Sequence, residues 1–115
     1  VYGSIGAGGM AEEVKTHASR MNPVPPGMPL EEAAAFLMTY GTSHYALKDR
    51  ARIQPGESLL VLGAAGGVGL AAVELGRAMG ARVIAAASSQ EKVDFAISKG
   101  AHEGFVYPEN PLDRD

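Results

Sequence analysis

Residues 59–87, LLVLGAAGGVGLAAVELGRAMGARVIAAA, decide the fold. The stretch is entered through a short apolar run, Ser58–Leu62, which reads as a strand buried on both faces. Gly63–Gly69 is small and glycine-rich. From Val68 to Met79 the apolar residues Val68, Ala72, Leu75 and Met79 recur at spacings of four, three and four, which predicts a helix. Gly80 is suited to end that helix from its C′ position. Arg82–Ala87 then reads as a second buried strand.

The turn between the first strand and the helix has the form Ala-x-Gly-x-x-Gly, with Ala64, Gly66 and Gly69 in the fingerprint positions. Small residues early in such a turn allow a tight reversal and let backbone approach a pyrophosphate, and the last glycine lets the helix lie close to the strand. The helix start presents unpaired N–H groups and a positive dipole end, here around Gly67 and Val68. A glycine-rich hexamer alone could be merely structural. Its placement after a buried strand, before a helix and ahead of a second strand points to dinucleotide binding. The turn lacks the Gly-Lys-Ser/Thr ending of a Walker A loop.

The end of the second strand bears on which dinucleotide. An NAD site is expected to place a carboxylate there for the ribose 2′-hydroxyl. Here Ala85-Ala86-Ala87 runs into Ser88-Ser89, and no acid precedes Glu91. A 2′-phosphate is then tolerated, Ser88 and Ser89 can donate hydrogen bonds, and Lys92 supplies charge. NADPH is therefore expected over NADH. The same serines can cap the helix that begins near Gln90, with Lys92 as a solvated charge, and the two roles are compatible.

Outward from this core, Gln90–Lys99 reads as a helix stopped by Gly100, and Glu103–Tyr107 as a third short strand. Strand, helix, strand, helix, strand with short links predicts an α/β fold: part of a Rossmann unit, a doubly wound parallel sheet with right-handed crossovers. Upstream, Gln54-Pro55-Gly56-Glu57 has the pattern of a type II turn. A helix is expected over Leu30–Met38, with Pro29 in its first turn and Glu31 and Glu32 at its positive end. A second helix is expected over Gly41–Arg50, with Gly41 marking a break or a change of direction between the two. Met21–Pro29 holds Pro23, Pro25, Pro26 and Pro29 and reads as an extended connector. Met10–Thr16 is read as a short strand, and Val1–Gly9 as a glycine-rich strip with no visible partner. Pro108–Asp115 trails off in polar and proline-containing residues. Both ends suggest a piece of a longer protein.

Composition removes several function classes. The 115 residues carry a net charge of −3 with no Lys/Arg cluster, so neither nucleic acid nor an acidic membrane is expected as the main partner. No apolar run reaches the roughly 18 residues of a membrane span. With no cysteine, disulfides and thiolate metal sites are excluded. His17, His44 and His102 are too scattered to suggest a metal site and read as surface or locally hydrogen-bonded residues. A reducing, cytoplasmic location is compatible with this.

The quoted core resembles the medium-chain dehydrogenase/reductase superfamily and, within it, the zinc-free quinone oxidoreductases. GGMAEEV, NPVPPGMPLEEAAAF, TYGTSHYAL, the QPGE lead-in and the closing GAHEGFVY carry the resemblance across nearly the whole chain. The resemblance implies that residues 1–29 are the end of a GroES-like catalytic domain with its connector. Residues 30–115 would be linker helices and the first half of an NADP-binding Rossmann domain. It also implies hydride transfer from NADPH to a quinone or enone, in a homodimer. By position, Ala65, Gly66, Gly67 and Val68 match residues that approach the pyrophosphate, and Ser88 and Lys92 those that hold the 2′-phosphate. Tyr107 matches a tyrosine near that phosphate, and Thr42 a threonine near the nicotinamide. Without the resemblance, Tyr107 would be an edge-strand aromatic and Thr42 an ordinary helix residue.

No catalytic acid, base or nucleophile is expected, because the cofactor carries the chemistry and the protein orients it. Glu12-Glu13 and Glu31-Glu32 are adjacent in sequence, so their side chains point apart and read as solvated charge. Three other readings stay open: the enoyl reductase module of a polyketide or fatty-acid synthase, a nucleotide-binding homologue without turnover, and a fragment that by itself is inactive and binds cofactor weakly or not at all.

Overall fold

The computed structural model describes residues 1–107, so the tail read at Pro108–Asp115 lies outside the described residues. Three parallel strands form the main sheet: β3 (Ser58–Leu62), β4 (Arg82–Ala87) and β5 (Glu103–Val106), in the order β3-β4-β5. They are joined by α2 (Gly67–Ala78) and α3 (Gln90–Ser98). Each apolar run found its expected element, and Gly80, at φ 85°, ends α2.

Register explains where the core sits. Leu59 and Val61 of β3, Val83 and Ala85 of β4, and Gly104 of β5 share one face. Gly76 of α2 lies so close to this face that a Cβ there would meet Leu59 Cδ2 at 2.5 Å and Val83 Cγ2 at 3.2 Å. Gly104 lies as close to Val93 of α3. Both helices therefore cover the same face. The buried cluster is built from small residues: Val61, Ala64, Val73, Val83, Ala85, Ala96 and Ala101.

The opposite face differs from the sequence reading. Ser58–Leu62 was expected to be buried on both sides, yet Leu60 and Leu62 are 52% and 69% exposed. Leu60 and Leu62 point to the face that α2 and α3 leave open, and among the described residues β3 is also an edge strand, hydrogen-bonded to β4 alone. Central β4 does match the expectation: Ala85, Ala86 and Ala87 are essentially inaccessible.

Upstream, α1 is one helix from Leu30 to His44, and it continues directly into a wider π-helical turn over Tyr45–Arg50. The expected break at Gly41 does not occur. A single glycine costs a helix only about 1 kcal/mol, and packing against α2 outweighs that. Pro29 sits at the N-cap, one residue earlier than read. The π turn ends where Arg52 takes φ 52° and Ile53 N donates to Leu47 O at 3.0 Å.

Two further expectations fail near the start of the chain. Met10–Thr16 forms no strand; Met10 is fully exposed, Val14 is half-exposed, and no partner strand adjoins them. The Val1–Gly9 strip does have a partner: β1 (Tyr2–Gly3) pairs antiparallel with β2 (Met21–Asn22). Tyr2 then reaches α1, its ring edge-on to Phe36 with centroids 6.1 Å apart.

Candidate cofactor site

The turn from β3 into α2 is shaped by backbone alone. Gly63 adopts φ 63°, a left-handed conformation that disfavours side chains. Its carbonyl accepts from Gly66 N at 2.9 Å, and Ala64 N extends the ladder to Ala86 O at 3.1 Å. A Cβ on Gly69 would stand 2.2 Å from Gly63 O, so the first turn of α2 can approach the strand end only with glycine there. This is the close-packing role assigned to the third fingerprint position.

Helix α2 starts at an N-cap, Gly66, that has no side chain to cap it. The first amides of a helix lack intrahelical acceptors. Among the described residues no acceptor meets the N–H groups of Gly67, Val68 or Gly69. These are three donors, at the positive end of a helix dipole, beside the end of a parallel strand.

The next strand–helix junction lies alongside. Tyr107 N donates to Ala87 O at 3.0 Å, carrying the chain past the end of β5 to the end of β4. Lys92 Nζ lies 2.8 Å from Ser88 Oγ. Ala65, Gly66, Ser88, Lys92 and Tyr107 line one hollow of about 250 Å³ together with Gly63 and Ala87. Among the described residues no carboxylate lines it, and Lys92 is the one formal charge. Ser89 stands apart from the hollow. Its hydroxyl accepts from Lys92 N at 3.4 Å and caps α3, the role that the sequence left open beside phosphate binding.

Thr42 is brought to the same turn from the other side. With Gly66, Gly67 and Val68 it lines a second hollow of about 590 Å³, bounded also by Leu60 and Leu62. Gly66 borders both hollows. The expected residues thus form two groups joined at the start of α2, with Ser89 in neither.

Three residues escaped the sequence reading. Gly63 was within the glycine-rich stretch but had no assigned task; its place directly after the strand was the available signal. Ser43 is 2% exposed and donates from Oγ to Val68 O at 2.7 Å. Tyr40, stacked on Phe36, donates to the Glu74 carboxylate, linking α1 to the middle of α2. That bond, with partial burial and the charges of Glu74 and Glu32, raises the Tyr40 pKa above its usual value. Neither pairing has a local sequence pattern, because the partners lie 25 and 34 residues apart.

The histidines have local roles. His17 Nδ1 is 2.7 Å from Ser19 Oγ, and His102 Nδ1 accepts from Val83 N at 3.0 Å. Among the described residues no group of three or more His, Cys, Asp or Glu side chains could hold a metal ion. No helix there is long and apolar enough to cross a membrane.

The arrangement suits a dinucleotide carrying a 2′-phosphate. Free amides at a helix start can accept a diphosphate, the absence of side chains at Gly63 and Gly66 leaves backbone open to it, and the Ser88–Lys92 pair favours anionic charge.

No protein-family model matches the chain. Individual proteins do. Quinone oxidoreductase-like protein 2 of Bos taurus is 42% identical over 113 residues, covering 97% of this chain and 32% of the relative. The quinone oxidoreductase of Thermus thermophilus, solved also in complex with NADPH, is 44% identical with a TM-score of 0.85, over 91% of this chain and 35% of that one. The CurK enoyl reductase is 36% identical with a TM-score of 0.73, over 83% of this chain and 28% of that one. The chain spans about a third of the length of the curated quinone oxidoreductases it matches. By sequence and by fold together, the chain is similar to quinone oxidoreductases of the medium-chain dehydrogenase/reductase superfamily over about a third of their length.

Proposed function

We propose that this chain is the part of an NADPH-dependent oxidoreductase that grips the adenosine side of the cofactor, in an enzyme that reduces quinones or enones. In this reading residues 1–29 close a GroES-like catalytic domain, and residues 30–115 carry linker helices and the first half of the NADP-binding domain. The enzyme would work as a cytoplasmic homodimer. The carrying observation is the uncapped start of α2 beside a hollow that holds Lys92 and Ser88 and, among the described residues, no carboxylate.

Each residue has a physical task. Ala65 and Gly66 let backbone close on the diphosphate, and the amides of Gly67 and Val68 donate to it. Ser88 and Lys92 hold the 2′-phosphate by a hydrogen bond and by charge, and Tyr107 walls that end of the hollow. Thr42 faces the opposite side of the turn, toward the nicotinamide. Ser89 contributes indirectly by fixing the α3 turn that carries Lys92. When bound, NADPH supplies the hydride; the residues of this chain orient it and contribute no acid or base.

Titrating the full-length protein with NADPH and NADH, followed by nicotinamide fluorescence, tests the reading. NADPH is expected to bind at least tenfold more tightly, about the worth of one charge-assisted contact. Equal or tighter binding of NADH would overturn the roles of Ser88 and Lys92. The likeness to CurK supports a second reading, reduction of an enoyl thioester. Turnover of such thioesters but not of simple quinones would favour it.

A further inference from the structure

We infer that Ser43 is a positioning residue for the diphosphate, acting through the peptide bond between Val68 and Gly69. The inference rests on the cofactor reading above and goes beyond it, since Ser43, only 2% exposed, acts through another group.

Ser43 lies in the last turn of α1, one residue from Thr42. It is the one buried polar residue in the described core, 2% exposed. A serine inside a helix commonly returns its hydroxyl to a carbonyl of its own preceding turn. Thr39, one turn earlier, does so, donating to Ala35 O at 3.2 Å. Ser43 instead reaches across to α2 and donates to Val68 O at 2.7 Å. That carbonyl belongs to the first turn of α2, and as a helical carbonyl it also receives the Ala72 N–H. A carbonyl oxygen has two lone pairs, so both donors can be accommodated.

The consequence falls on the other side of the same peptide unit. The Val68 carbonyl and the Gly69 N–H share one conjugated plane. A second proton donor on the oxygen draws electron density from the nitrogen and makes the N–H a stronger donor, the usual cooperativity of linked hydrogen bonds. Gly69 N–H is one of the three amides at the start of α2 that no acceptor among the described residues engages. Ser43 thus strengthens the third free amide at the start of α2, beside those of Gly67 and Val68, and ties that turn to the segment of α1 that carries Thr42.

The test compares two probes on the full-length protein by calorimetric titration: NADP⁺, which contains the diphosphate, and 2′-AMP, which keeps the 2′-phosphate and lacks the diphosphate. Ser43→Ala is expected to weaken NADP⁺ by roughly 1.3- to 4-fold, a 10–30% weakening of one charge-assisted hydrogen bond, and to leave 2′-AMP affinity unchanged. Ser43→Thr, which retains the hydroxyl, should restore NADP⁺ affinity. Ser43→Cys, close in size but a weak donor, should reproduce the selective loss even if the alanine variant folds poorly. Unchanged NADP⁺ affinity in both variants, or an equal loss for the two probes, overturns the inference. An unaltered protein that binds neither probe overturns the cofactor reading, and this inference with it.

Discussion

Two helices begin at the same end of the sheet, and they begin differently. Helix α3 is capped by its own sequence: Ser89 Oγ takes the Lys92 N–H, and Glu91 sits in the first turn. Helix α2 has glycine at its N-cap, no acid in its first turn, and three amides without acceptors among the described residues. A glycine N-cap forgoes roughly a few tenths of a kcal/mol that a serine or aspartate would supply. Helix α2 is held from the side instead, through Tyr40 to Glu74 and Ser43 to Val68, while its end stays open. One junction is finished by protein, and the other is shaped for something else to finish.

The strongest way to break this contrast is to close the open junction. Gly69→Ala places a methyl against Gly63 O, a backbone atom that cannot swing aside. A loss of about 3 kcal/mol, the upper range for overpacking, is expected by denaturant unfolding, together with loss of measurable NADPH binding. Next in size, Lys92→Ala should cut NADPH affinity roughly 10- to 100-fold and leave NADH nearly unchanged, as for removal of a hydrogen bond to a charged group. A parallel loss for NADH would show that Lys92 does not meet the 2′-phosphate.

How legible the two junctions were follows from the range of the interactions. The strands and helices of residues 58–106 could be read because apolar runs, helical spacing and glycine stops are local signals. Residues meeting at the hollow could be read because strand ends in a parallel sheet bring the turns after β3 and β4 side by side. Ser43 and Glu74 could not, since each partner lies on a different helix. Gly41 misled because packing of α1 on α2 outweighs one residue's propensity. The exposure of Leu60 and Leu62 was hidden for a related reason: a strand's composition does not state how many neighbours it has.

Smaller effects sharpen the comparison. Ser89→Ala should lower stability by about 1 kcal/mol in chemical denaturation, with less effect on NADPH affinity than Ser88→Ala. Reversal of that order would assign Ser89 to the ligand instead of the helix. The smallest effect concerns Tyr40. Its folded pKa is raised, so the stabilisation from its hydroxyl is complete below the unfolded value of 10.0 and is lost as pH climbs through the folded value. Denaturation midpoints of the unaltered protein should therefore fall more steeply above pH 10 than those of Tyr40→Phe. Identical alkaline slopes would mean the Tyr40–Glu74 bond does not tie α1 to α2 in solution.

The alanines of β4 have a consequence for anyone who diversifies this protein. Ala85, Ala86 and Ala87 have no rotamers to rearrange, and helices rest directly on the central strand, so little slack exists to absorb an added methylene. A library aimed at cofactor preference should therefore keep those three codons constant and place its variation at Ser88 and Lys92, where the chain has already left the packed interior.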